Sequence, residues 1–338
     1  MNRTLYILIV ASVLAVGCRN PNGAPDVSGI KVNLTIERFD KDLFALDSNN
    51  LKEQLPSLFK KYPNFAQDFL QQELNVQPSA LPDTVYFELK TFLSQSQYLK
   101  DSAFKEFASL DDMRAELEKY FRYVKYYYPD YKVPTIITFI GNFGGRELNT
   151  QDGLGIGLNF YLGASFSYYQ MPQVQEVFPQ YLSRKFSRQY IPVNCMAAVI
   201  DDLYPSDTDT LSLIDQIIDR GKRLYVLDKF LPGVDDTMKL GYTANQYTWC
   251  KANEGQIWNF FLQQNILYSF DPDIIKNYLT DAPYTQNMPE ASPGSIGSFV
   301  GQQIIRKYVA GNGGNITPKQ MMAIPPKTIL SAAQYNPR

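Results

Sequence analysis

The chain has 338 residues, 45% hydrophobic and 14% aromatic, enough apolar matter for the core of one large domain or two small ones. Its 32 basic and 34 acidic side chains leave a net charge of −2, which excludes nucleic acid as a partner. It contains no histidine, so imidazole-based serine or cysteine triads, HExxH zinc sites and His-ligated haem are excluded as well.

Residues 1–18 read MNRTLYILIVASVLAVGC: Arg3, then an apolar run over 5–16, then small residues and Cys18. That is the pattern of a secretory signal, and its apolar run is well short of the ~20 residues that span a bilayer as a helix. The ending LAVGC resembles a bacterial lipobox, which implies cleavage before Cys18 and lipidation of its sulfur, a soft nucleophile suited to forming a thioether. At about 0.8 kcal/mol per buried methylene, two or three acyl chains would hold the protein on the membrane.

Loss of residues 1–17 leaves 321 residues with 31 basic and 34 acidic side chains. They include no basic amphipathic stretch that would lay the body on anionic lipid, so membrane contact is expected through Cys18 alone. Residues 18–29, rich in Pro, Gly and Asn, read as a flexible tether. Arg19 and Asn20 lack the acidic run that would suggest export to the cell surface, which favours the periplasmic side.

The folded body is expected over 30–338 as one domain, because no linker, repeat or low-complexity stretch divides it. IKVNLTIE at 30–37 alternates apolar and polar residues, the period of a half-buried strand. Helical patterns follow at 50–74, with breaks near Pro56 and Pro63, and at 85–107. The next helix takes Asp111 or Asp112 as N-cap, carries a stripe of Met113, Leu117, Phe121, Val124 and Tyr128, and ends at Pro129. The tyrosines of 120–131 pack inward or form a carbohydrate platform, and inward packing is the commoner use of such a face.

TIITFIG reads as a second strand. After the glycine-rich loop GNFGGRELNTQDG, residues 154–163 read as an edge strand with glycines on one face. The remainder is helical. Thr243 and Gln246 form a capping box, Asp271-Pro272 and Thr317-Pro318 mark two further starts, and Gly311 closes the helix that carries Gly294, Gly297 and Gly301. The expected fold is helix-dominated α+β with a small sheet.

Motifs for chemistry are weak. Ser57-x-x-Lys60 and Ser102-x-x-Lys105 both fit a serine-lysine spacing, and two unrelated hits show how cheap the pattern is. GLGIG opens no helix and GNFGGR lacks the lysine and hydroxyl of a phosphate loop, so both read as structural glycines. Asp201, Asp202, Asp207 and Asp209 lack the spacing and terminal glutamate of a calcium loop. Asp219 and Arg220 form either a polar site or a charged surface face. Cys195 and Cys250 are too few for a structural zinc cluster; they are either a disulfide or two buried small hydrophobes. No cofactor or metal is called for.

The lipobox, ERFD at 37–40, YYYPDYKVPTIITFIGN, LNFYLG, DRGKRLYVLDKFLP, GYTANQYTWCKANEGQIW, LYSFD, PGSIGSFVGQQIIRKY and the closing SAAQYNP together resemble the gliding-motility lipoprotein GldB family. The resemblance covers nearly the whole mature chain. It implies a membrane-anchored component of a cell-envelope motor linked to type IX secretion, with other gliding proteins of the envelope as partners, and it does not imply an enzyme.

A more distant likeness, to zinc peptidases of the zincin kind, lies in the helix that opens on Pro293 and Gly294 and continues through Gly297 and Gly301. It implies a degenerate form of that fold, in which VNCMAAVIDD follows the edge strand and puts Asn194, Cys195, Met196, Ala197 and Ala198 where HExxH would stand. Three glycines on one helix face cost roughly 1 kcal/mol each relative to alanine, so they signal either close packing or a vestigial groove shared with Asn194, Cys195, Asp219 and Arg220. Two function classes stay open: a non-catalytic docking lipoprotein, and a hydrolase of cell-wall or exopolysaccharide glycans that works with carboxylates alone.

Overall fold

A computed structural model describes residues 23–206, 210–314 and 316–338; the signal segment, Cys18, Asp207 and Asp209 lie outside the described residues. Val27, which composition places in the flexible tether, is buried in the larger core with Ala24 packed beside it, so the chain joins the body before residue 30. The alternation at 30–37 buries Val32 and Leu34, yet the ladder begins only at β1, Ile36–Arg38. Side chains of the helix at Asp111–Tyr127 take the strand's place. Leu34 N–H donates to the Glu118 carboxylate, and the Arg114 guanidinium donates to the Leu34 carbonyl.

After β1 come α1 Phe39–Phe44, α2 Leu51–Lys61, α3 Phe65–Leu74, α4 Pro82–Gln95, α5 Gln97–Glu106 and α6 Asp111–Tyr127. Pro63 ends α2 as expected, but Pro56 lies inside it. Burial of Leu51, Leu55 and Leu58 along one face outweighs the roughly 3 kcal/mol that an interior proline costs. The N-cap of α6 is Leu110 rather than an aspartate. Asp111 and Asp112 occupy the first turn, where their charge faces the positive helix end, and Ser109 Oγ accepts the Asp111 N–H. Met113, Leu117, Phe121 and Val124 are buried, and Tyr120 and Tyr123 pack inward with them.

β2 Ile136–Phe139, β3 Glu147–Asn149 and β4 Leu154–Gly157 complete a four-stranded sheet in the order β1-β2-β4-β3. β1, β2 and β4 run parallel, with Ile136 opposite both Ile36 and Leu154; β3 runs antiparallel to β4, with Glu147 opposite Ile156. The edge-strand expectation for 154–163 is therefore corrected: β4 is interior, all four of its residues are buried, and residues 158–160 form a 3₁₀ turn. The glycines misled because their missing side chains signal room for a neighbour as readily as exposure. A Cβ on Gly155 would stand 2.7 Å from the Phe65 ring and 3.2 Å from that of Phe139.

The sheet separates two cores. Ile137 and Phe139 of β2 face a smaller one built by α1 to α4, in which Phe39 touches Tyr62, Phe65 and Phe69 at centroid distances of 5.0 to 5.1 Å. Ile136, Leu154 and Ile156 face the larger one, shared with α6 and the C-terminal helices.

Those helices are α7 Pro172–Val177, α8 Gln180–Ser183, α9 Ile191–Leu203, α10 Leu213–Phe230, α11 Asp236–Leu240, α12 Ala244–Ala252, α13 Glu254–Gln263, α14 Pro272–Leu279, α15 Ile296–Gly311, α16 Pro318–Ala323 and α17 Pro326–Ala333. The caps expected at Thr243, Asp271 and Thr317 all form. The fold is thus helix-dominated α+β. Among the described residues no helix is long and apolar enough to cross a membrane.

Candidate functional site

The glycines of α15 are packing positions. A Cβ on Gly301 would meet the Ile217 carbonyl oxygen at 2.0 Å, and one on Gly221 would meet the Gly301 carbonyl oxygen at 2.2 Å, so α10 and α15 cross backbone to backbone. Gly297 lies under Leu279 and Ile217, and Gly294 against the Ala282 backbone. The expectation that these glycines wall a groove is corrected: α10 backbone fills the space over Gly301, and the Leu279 and Ile217 side chains with the Tyr278 carbonyl fill that over Gly297. Gly294 precedes α15, is not on its face, and lies against the loop backbone of Ala282.

A cavity of about 780 Å³ does open beside them, between α9, α10, the start of α15 and the segments at 181–185, 238–241 and 276–281. Asn194 and Arg220 stand on its wall; Cys195, the next residue of α9, is fully buried and off the wall, and Asp219 pairs with Arg223 at 2.7 Å. The sequence DRGKR divides its work around one helical turn. Arg220 and Arg223 reach the cavity, Gly221 admits α15, and buried Lys222 donates to the Ile324 carbonyl. Cys195 and Cys250 are both free and buried.

The wall is strongly cationic. Arg146, Lys185, Arg220, Arg223, Lys239 and Lys276 line it, against the carboxylates Asp201 and Asp281. Arg223 holds Asp201 at 2.7 Å, Lys185 holds Asp281 at 2.6 Å, and Lys239 pairs with Asp228 behind the wall. Burial lowers the pKa of the Lys185 ammonium, with Asp281 opposing the shift, and raises that of the Asp201 carboxyl, with Arg223 opposing it. Sequence reasoning missed Arg146, Lys185 and Lys276: they are far apart in the chain and carry no shared motif.

α9 crosses β3 and β4, and the Asn149 amide donates to the Ala198 carbonyl at 3.3 Å. At this junction Tyr161 O–H donates to the Glu147 carboxylate, and the Asn194 amide donates to the Tyr161 oxygen at 2.8 Å. Burial raises the pKa of the Glu147 carboxyl, and Arg146 and these hydrogen bonds only partly offset it. A carboxyl, a phenol and an amide thus occupy the place assigned to a degenerate metal helix. Among the described residues no group of three His, Cys, Asp or Glu side chains could hold a metal ion.

Two further sequence features resolve into internal ion sites. The glycine loop at 141–145 closes around Glu73, whose carboxylate accepts the N–H groups of Gly144 and Gly145 at 2.9 and 2.8 Å; a Cβ on Gly141 would stand 2.2 Å from that carboxylate. The loop is an anion cradle, as its glycines allow, but the anion is the protein's own. In ERFD, Arg38 grips the fully buried Asp40, which also accepts the Thr138 hydroxyl at 2.6 Å.

By fold this is a helix-dominated α+β protein with a mixed four-stranded sheet and a cation-lined cavity beside it. The chain belongs to the gliding motility protein GldB family, whose model matches residues 20–337. No curated protein and no solved structure matches it, so the distant peptidase likeness rests on the order of elements alone.

Proposed function

We propose that the protein is a membrane-anchored, non-catalytic lipoprotein of the gliding apparatus, held through Cys18 on the periplasmic side of the envelope. There it docks to other envelope proteins in a process linked to type IX secretion. The observation that carries this reading is the match to a gliding motility family along 20–337. Two features add support. The chain has no imidazole, and on the wall of the cavity of about 780 Å³ six cations face two carboxylates. The alternative, a carboxylate-dependent glycan hydrolase, needs two carboxyl groups free to act as acid and base. Asp201 and Asp281 on the cavity wall are each engaged by a cation, which favours docking.

The test is a clean deletion complemented by wild-type, Cys18→Ser, and Asp201→Asn/Asp281→Asn chains. Deletion abolishes colony spreading, the wild-type and double-Asn chains restore it, and the Cys18→Ser chain fractionates as soluble protein and does not. A deletion strain that spreads and secretes normally overturns the reading.

A further inference from the structure

We propose that the cavity between α9, α10 and α15 is the docking site for an acidic peptide segment of a partner protein. The inference rests on the docking function above and names the chemistry of what docks. The argument is charge complementarity. Of the six cations on the wall, Lys185, Arg223 and Lys239 have carboxylate partners. Arg146, Arg220 and Lys276 have no carboxylate within ion-pair distance among the described residues, although the whole chain carries a net charge of −2. Three cations outside any salt bridge, with Arg146 and Arg220 acting only at longer range on Glu147 and Asp201, gather around one concavity and make a field that attracts and orients an anion. The first turn of α15 adds its positive end there, with Ser295 and Ser298 on the wall.

Size and lining select a peptide among anions. A cavity of about 780 Å³ is far larger than an inorganic anion requires, and such an ion would leave the apolar wall of Leu224, Leu227 and Leu279 wet. An acyl chain would cover that wall but leave Arg146, Arg220 and Lys276 without a counter-charge and the Thr280 hydroxyl without a partner. A segment that alternates acidic and apolar side chains satisfies both, carboxylates to the arginines and backbone amides to the hydroxyls.

The experiment uses the full lipidated chain in detergent micelles and a fluorescein-labelled ten-residue peptide alternating glutamate and leucine, read by anisotropy at low salt. The wild type binds this peptide, binds the glutamine-for-glutamate version at least roughly tenfold more weakly, and loses affinity as salt rises. Arg146→Gln/Arg220→Gln/Lys276→Gln weakens binding of the acidic peptide by roughly tenfold or more. Arg220→Gln/Lys276→Gln, which alters only exposed side chains, shows a smaller loss in the same direction and guards against misfolding of the triple variant.

Equal binding of the neutral peptide, unchanged binding by both variants, or stronger competition by dodecyl phosphate or polygalacturonate than by unlabelled acidic peptide overturns the inference. Any of these results alongside a non-spreading deletion strain sinks the peptide site and leaves the docking function standing. A deletion strain that spreads normally sinks the docking function whatever the peptide does.

Discussion

Replacing Gly301 with alanine tests the reading of the glycine helix. Real Cβ contacts essentially never fall below 3.0 Å, and the new methyl would lie 2.0 Å from the Ile217 carbonyl oxygen and 2.9 Å from the Gly221 nitrogen. These are backbone atoms inside a helix and cannot swing aside, so α10 and α15 must separate by about 1 Å. Overpacking of this kind costs about 1–3 kcal/mol, and a gap of that size forfeits roughly a quarter to a half of each dispersion contact it opens. The side chains that lose contact include Ile217, Ile218, Val300, Ile304 and Ile305, all buried at 2% exposure or less. Alanine returns at most about 1 kcal/mol through helix propensity.

The net expectation for Gly301→Ala is a loss of about 2–4 kcal/mol. Gly311→Ala, in the last turn of the same helix, meets nothing within 4 Å and is expected to gain up to about 0.5–1 kcal/mol. Urea unfolding followed by the fluorescence of Trp249 and Trp258 measures both variants. If Gly301→Ala matches or exceeds the wild type, as Gly311→Ala is expected to, the close-crossing argument is wrong.

Burial raises the pKa of the Glu147 carboxyl, so the folded chain takes up its proton at higher pH than the unfolded chain. The stability this contributes is fully present below the ordinary glutamate range and is lost as pH rises through the folded value. Glu147→Gln should therefore exceed wild-type stability at pH 7 and lose that advantage toward pH 4, as urea midpoints across pH would show. Asp40→Ala leaves Arg38 half-buried beside an empty partner position and should cost about 3–5 kcal/mol, whereas Arg38→Met/Asp40→Leu should cost less than that single change; chemical denaturation of both decides. Glu73→Gln turns an amide NH₂ toward either the Gly144 or the Gly145 N–H and should cost about 1–3 kcal/mol, with faster proteolytic cutting in the 141–146 loop as the readout.

Local and periodic features were legible along the chain. The helix stripe of Met113, Leu117, Phe121 and Val124 is an amphipathic repeat, and the caps at Thr243, Asp271 and Thr317 are hydrogen bonds between near neighbours. The absence of histidine, readable from composition alone, closed the chemistries that need an imidazole. Features that depend on partners distant in the chain emerged only with the fold. Gly301 is explained by Gly221, the loop at 141–145 by Glu73, and the glycines of β4 by Phe65 and Phe139. A glycine in a sequence announces a missing side chain without saying what fills the place. The cavity was hidden for the same reason: its cations at 146, 185, 220 and 276 become one charged wall only once α9, α10 and α15 have packed, and no spacing along the chain encodes a distance measured through the fold.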